Sequence, residues 1–271
     1  MIEDVAVVVM SCDAYSVIWP PFYNFFFKYW SDCPFTIYNG SNHLSFAHPR
    51  VVSLHSDTDS DWSSVRKAIL KQVKEKYVIL LLEDYFLNGR PDMELLRKSI
   101  NCIKKQDGLF LMLSCFPVSH KSLWEYDKLD DNPLIGKIRS NQEYRINTQI
   151  SIWNKELLCD LLKDGESIWE FEINGSKRSN EIPNPCLCII PDPNKNYVHG
   201  PIPYLCTAIT KGIWMLDAIE LGKKEGITID TSHRKVETKF QYWFRRLYTR
   251  TPLSKRKYLD FIRSRVLKFQ Y

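Results

Sequence analysis

One stretch constrains the rest of this chain: Lys76-Tyr77-Val78-Ile79-Leu80-Leu81-Leu82-Glu83-Asp84-Tyr85-Phe86-Leu87. Five aliphatic residues in a row, Val78 to Leu82, predict a short strand buried on both faces, as in a parallel sheet. The run ends in two adjacent carboxylates. In open α/β sheets, ligands bind in the crevice beyond the strand tips. Burying unpaired carboxylates is costly, so Glu83 and Asp84 require a cation, hydrogen-bond donors or water. A metal-bound diphosphate or a catalytic proton meets that need. A plain turn past a core strand is the simpler reading of the same residues.

The flanking sequence repeats the pattern. Asp4 to Met10 (D-V-A-V-V-V-M) predicts a second buried strand, ending in the polar Ser11-Cys12-Asp13. Pro20 and Pro21 suit the first turn of a helix rich in aromatics up to Trp30. Phe35–Tyr38 and Val51–Leu54 predict short strands, the first closed by a turn at Asn39-Gly40-Ser41-Asn42. Asp61-Trp62-Ser63-Ser64 opens a helix expected to reach about Lys76, with Val65, Ile69 and Val73 on one face. Strands and helices thus alternate through the first ninety residues, the pattern of an α/β nucleotide-binding half. Further on, a helix is expected from Pro91, strands at 109–113 and 149–153, and a helix at 155–162. Residues 117–148 read as a polar, substrate-side loop region. Residues 182–203 hold six prolines and read as irregular.

Composition excludes several classes. No apolar run approaches the roughly 20 residues needed to span a bilayer. Met1-Ile2-Glu3-Asp4 carries acids where a secretion signal carries bases, so a cytoplasmic location is expected. The 8 cysteines are scattered, and Cys186-x-Cys188 is too short for the usual zinc spacing. Reduced, mostly buried thiols follow. Charge is uneven: from Arg234 to Tyr271 there are twelve Lys and Arg against Glu237 and Asp260, a net of +10 in a chain whose total is +5. The body before it is therefore mildly acidic.

Three features resemble bacterial nucleotide-sugar glycosyltransferases of the GT-A fold, of the surface-polysaccharide biosynthesis type. They are the N-terminal strand ending in a small polar loop, the Trp62-Ser63-x-x-Arg66 helix feeding an apolar strand that ends in acids, and the segment Trp169-Glu170-Phe171-Glu172. The resemblance covers about residues 3–230. It implies a GT-A-like, Rossmann-like mixed sheet flanked by helices. A catalytic domain over 1–232 would comprise a donor half to about 115 and an acceptor half from about 116, with a basic helical tail over 233–271.

The resemblance also implies roles. The acids closing the central strand match an Asp-x-Asp-like motif, with Leu82 where an acid is common. Asp84 would bind Mg²⁺ or Mn²⁺ at the donor diphosphate, with Glu83 in support. Ser11, Cys12 and Asp13 would hold the nucleoside of a UDP-linked donor. Trp62 and Arg66 share a helix face, and Arg66 would grip the diphosphate; Lys211, before Gly212-Ile213-Trp214, would meet it too. His199 is a candidate second metal ligand. Inverting transfer needs one carboxylate as general base. Glu170 and Glu172 are the candidates; two residues apart on a helix, only one should face the donor. Glu170 is preferred because Trp169 beside it offers a ring to the acceptor sugar, and Gln149 is the other acceptor-side candidate.

The tail mixes bases with aromatics, as in Lys239 to Leu247 (K-F-Q-Y-W-F-R-R-L) and again in Tyr258 to Leu267. A basic amphipathic helix predicts contact with anionic lipid at the inner face of the plasma membrane, beside a polyprenyl-linked glycan acceptor. The opposing reading is a helix packed on the domain. A non-catalytic sugar-binding or nucleic-acid-binding protein is the alternative at the level of function. A net positive charge confined to the tail, with no nucleic-acid motif, argues against a nucleic-acid partner.

Overall fold

The protein is described from a computed structural model covering residues 4–113, 125–129, 132–190, 200–251 and 259. It is a mixed α/β fold, a large sheet flanked by helices. The unbroken apolar runs become its central strands: β1 (Val5–Met10) is buried at every residue, and β4 (Tyr77–Leu82) lies beside it in parallel, Val5 opposite Tyr77 and Met10 opposite Leu82. On the other side of β1 lies β2 (Thr36–Ser41), then β3 (Val51–His55), both parallel. The chain therefore runs outward from β1 through β2 to β3 and returns to β4 on the opposite side of β1. That reversal is a topological switch point, where the loops after β1 and β4 part and leave a crevice.

Beyond β4 the sheet becomes mixed. β5 (Phe110–Met112), β6 (Tyr126–Leu129), β7 (Asn132–Ile138), β8 (Ser151–Asn154) and β9 (Cys186–Ile189) complete the order β3-β2-β1-β4-β8-β5-β9-β7-β6. β8 is antiparallel to both β4 and β5. On one face, α1 (Trp19–Tyr29) packs Phe22, Phe25 and Phe26 against Val5, Val7 and Val9, and α3 (Met93–Lys105) adds Leu96, Ile100 and Ile103. On the other, α2 (Trp62–Leu70) and α4 (Lys155–Leu161) set Val65, Ile69, Leu158 and Leu161 against Ala6 and Val8.

Four expectations are corrected. Asn39, Gly40 and Ser41 do not turn but extend β2. A Cβ on Gly40 would lie 2.7 Å from Ile69 Cγ2, so glycine is what lets α2 approach the strand. α2 stops at Leu70 rather than near Lys76, because the chain must reverse through turns at Gln72 and Val73 to enter β4. Region 117–148 contains the antiparallel pair β6–β7 at the sheet edge, where Arg139 bridges Asp127 at 2.7 Å and Glu125 at 3.0 Å. Charges on an outer strand blunt its free edge and hide its alternation in the sequence. The proline-rich 182–203 region supplies buried β9.

After β9 comes a hairpin of β10 (Ile209–Thr210) and β11 (Ile213–Trp214). Among the described residues no helix is long and apolar enough to cross a membrane.

Candidate active site at the strand tips

Two loops meet in the crevice. Ser11 follows β1; its Oγ accepts from Trp19 Nε1 at 2.7 Å and its amide donates to Gly40 at 2.9 Å. Glu83 and Asp84 follow β4 and are 8% and 9% exposed, so the acid pair is buried as well as adjacent. Both carboxyls are pushed above the usual carboxylate range, chiefly by burial, and Glu83 further by the negative charge of Asp84. Glu83 is the electrostatic centre: its charge reaches Cys12, Tyr15, Tyr23 and Arg66.

Arg66 lies wholly within the protein. It donates to the Ser11 carbonyl at 2.8 Å, rests 5.3 Å from the Trp62 ring centre, and leaves its buried Nε without a partner. It therefore braces the Ser11 loop and offsets Glu83 rather than opening onto the crevice. Asp13 is likewise engaged: its Oδ1 accepts from the amides of Asn42, His43 and Leu44, each at 3.1 Å. It organises the loop after β2. Cys12 is half-buried, and burial raises its thiol.

Asp84 is tied to the hairpin. Its Oδ2 accepts from Thr207 Oγ1 at 2.5 Å, and its carbonyl accepts from the Ala208 amide at 2.8 Å. The turn of that hairpin is Lys211-Gly212, both with positive φ (49° and 77°), and it leaves Lys211 exposed. Sequence reasoning missed Arg234, which sits beside this turn. Its guanidinium lies 4.4 Å from the ring centre of Tyr15 and donates to the Ala14 carbonyl. Tyr15 in turn feels both Glu83 and Asp84. Nothing in the sequence joins positions 15 and 234; only the folded chain does.

The two acids of the Trp169–Glu172 segment separate. Residues 168–178 form one irregular helix: α5 (Ile168–Glu170), a wide π turn at Phe171–Gly175, then α6 (Ser176–Arg178). Glu170 is exposed and engaged in its helix cap, accepting from the Ser167 amide at 2.8 Å and Oγ at 2.7 Å, which lowers its pKa. Glu172 is 8% exposed. Its Oε1 accepts from Thr148 N and Oγ1, both at 2.7 Å, and burial raises its pKa. Tyr85 links it to the acid pair, because both Asp84 and Glu172 act on the Tyr85 hydroxyl. Thr148 also shares a cavity of about 30 Å³ with Trp62, Arg66 and Phe171.

Gln149 binds neighbours within the protein: it donates to Tyr85 at 3.3 Å and accepts from the Tyr204 hydroxyl at 2.6 Å. Trp169 is 70% exposed on the outer side of α5. His199 lies outside the described residues. Among the described residues, no three His, Cys, Asp or Glu side chains cluster in a metal-holding arrangement. The two acids of the pair still suit a hard cation. Burial disfavours their charged forms, Arg66 partly counters this at Glu83, and a hard cation would favour the charged forms further. Mg²⁺ is commonly held by one or two carboxylates plus substrate phosphates.

No protein-family model matches the chain, and no curated protein matches it. Among solved structures it is similar to TarS 1-349 of S. aureus in complex with UDP-GlcNAc, at 14% identity and a TM-score of 0.42, over 64% of this chain and 53% of that one. It is similar to the apo structure of WbbM, a bifunctional glycosyltransferase, at 14% identity and 0.40, over 66% of this chain and 37% of that one. UDP-glucose pyrophosphorylase complexed with UDP-glucose is similar at 6% identity and 0.44, over 70% of this chain and 90% of that one. The chain spans about half the length of the TarS 1-349 structure that it matches.

Proposed function

We propose that this chain is a glycosyltransferase that moves a sugar from a nucleotide-sugar donor to a glycan or lipid-linked glycan. One observation carries the reading: the switch-point crevice gathers the Ser11 loop and the buried Glu83–Asp84 pair, with Arg234 against Tyr15 beside it and Lys211 exposed on the adjoining turn. The nucleotide occupies the β1 side, where Ser11 and Cys12 line the loop that Asp13 and Arg66 hold in shape. Lys211 and Arg234 carry positive charge toward the diphosphate, where charge grows as the donor bond breaks. Asp84, supported by Glu83, would hold Mg²⁺ or Mn²⁺ there, and such an ion neutralises a leaving diphosphate.

The base passes from Glu170 to Glu172. The Glu172 carboxylate is fixed through Oε1, and its Oε2 takes no hydrogen bond from the described residues, so that oxygen receives the proton. Burial lifts its pKa toward working pH, which favours proton abstraction. The acceptor hydroxyl attacks the anomeric carbon, its proton moves to Glu172, and the bond to the diphosphate oxygen breaks. Attack from the face opposite the leaving group inverts the centre.

The test is a thermal-shift screen of nucleotide sugars, starting with UDP-GlcNAc and UDP-glucose. A ligand at 100 times its dissociation constant adds about 2.7 kcal/mol. Stabilisation by none of them overturns the donor reading. Stabilisation without turnover over a panel of glycan acceptors favours a non-catalytic sugar-nucleotide binder.

A further inference from the structure

The helix α8 (Lys239–Arg250), which follows α7 (Leu216–Glu225), turns two different faces to its surroundings. Thr238 and Gln241 cap its start reciprocally. Its inner face is fastened to the body. Phe244 is 3% exposed, and Arg245 reaches Glu237 through Nε at 2.9 Å and Nη2 at 2.9 Å, and Asp217 at 2.6 Å. Glu237 also accepts from the Leu216 amide at 3.1 Å, so the cluster locks α8 to the first turn of α7.

The outer face is apolar and uncovered. Phe240, Trp243 and Leu247 follow one another at spacings of three and four, which puts them in a single stripe. They are 52%, 58% and 38% exposed, and the rings of Phe240 and Trp243 stack with centroids 6.3 Å apart. Eight large apolar side chains are this exposed among the described residues; the other five are scattered over the β3 region, two loops and the α5 region. A clustered, stacked pair beside a leucine marks an interaction surface.

Charge identifies the occupant. Residues 239–250 hold Lys239, Arg245, Arg246 and Arg250 and no acid. Lys239 and Arg246, seven apart, lie on one edge of the helix beside the stripe; Arg246 is half-exposed and also lies 3.9 Å from Asp217, whereas Lys239 stands clear of that cluster. An apolar stripe of Trp, Phe and Leu bordered by Lys and Arg is the composition of a helix lying in a bilayer interface. With 12 residues, α8 is too short to cross. We propose that α8 is an in-plane anchor that seats the protein on an anionic membrane, with Phe240, Trp243 and Leu247 among the acyl chains and the bases on the headgroups. This inference is independent of the catalytic reading. Because the inner face is locked through Arg245, the anchor holds the body in a fixed attitude rather than on a leash.

The experiment uses the full chain in sedimentation with phosphatidylglycerol-rich and phosphatidylcholine-only vesicles at low and high salt. Wild type should bind the anionic vesicles, less so at high salt. The triple variant Phe240→Ser, Trp243→Ser, Leu247→Ser should lose affinity at least about tenfold with an unchanged melting temperature. The single variant Lys239→Glu, outside the Arg245 cluster, should weaken binding only to the anionic vesicles. Equal binding by wild type and the triple variant overturns the proposal. A lower melting temperature for that variant also overturns it, showing that the stripe is covered by the chain itself. So does a wild-type dimer that the variant breaks, which would make the occupant a second copy.

Discussion

Glu170 and Glu172 stand two residues apart in opposite settings, one closing a helix cap in water, the other buried on Thr148. The helix rule separated them but could not say which one turned inward. The π turn at Phe171–Gly175 decides that, and no feature of the sequence announces it. Glu172→Gln keeps both Thr148 bonds and removes the proton acceptor. Transfer should fall by roughly 10²–10⁴ while donor affinity persists. Glu170→Gln should leave turnover near wild type; a comparable loss there would return the base to Glu170. Stability carries a second signature. The folded pKa of Glu172 is raised, so the folded state holds the proton more tightly than the unfolded chain. Its contribution is complete below the unfolded value of about 4.3 and is lost as pH rises through the folded pKa. Glu172→Gln should therefore match wild type in melting temperature near pH 4 and exceed it near pH 8. Asp84→Asn is the companion test: Mg²⁺-stimulated donor binding, read by calorimetry with and without chelator, should disappear. Unchanged affinity in both conditions sinks the metal assignment.

At the scale of elements, what showed in the sequence was what burial makes uniform. β1 and β4 are covered on both faces, so their composition leaves no choice but strand. β6, β7 and β9 were hidden for opposite reasons. The outermost strand, β6, and its partner β7 carry charges that break the apolar alternation, and the third is four residues among prolines. The acid pair was legible because two carboxylates directly after five aliphatics conflict with burial. Arg234 was not, because its meaning rests on Tyr15, more than two hundred residues earlier. Of the two readings of the tail, packing on the domain holds for α8, which also presents an apolar stripe; the tail segment Tyr258 to Leu267 lies, but for Leu259, outside the described residues. Arg245 decides the first part. Arg245→Ala leaves the buried Glu237 without its guanidinium, while Asp217 keeps Arg246 at 3.9 Å; a buried acid so stranded costs about 3 kcal/mol. Urea denaturation should show a loss of that order. A change below about 0.5 kcal/mol would mean that Phe244 and the helix cap alone hold α8 in place.

For the molecule as a whole, the two halves expected to divide near residue 115 share one sheet. β8, from the second half, is inserted between β4 and β5 of the first, so one continuous ladder of backbone hydrogen bonds crosses the division. A protein whose halves are stitched in this way has no hinge between them. The crevice is therefore expected to keep its width, with movement left to loops such as the Lys211 turn. Exchange of backbone hydrogens for deuterium gives this a measurable form. Amides in β1 and in β9, on opposite sides of the insertion, should become exposed only when everything opens, and so with the same free energy. A nucleotide sugar held at the tip of β4 should slow both by the same factor, although β9 does not touch it. Slowing confined to β1–β4 would reveal two independently opening units.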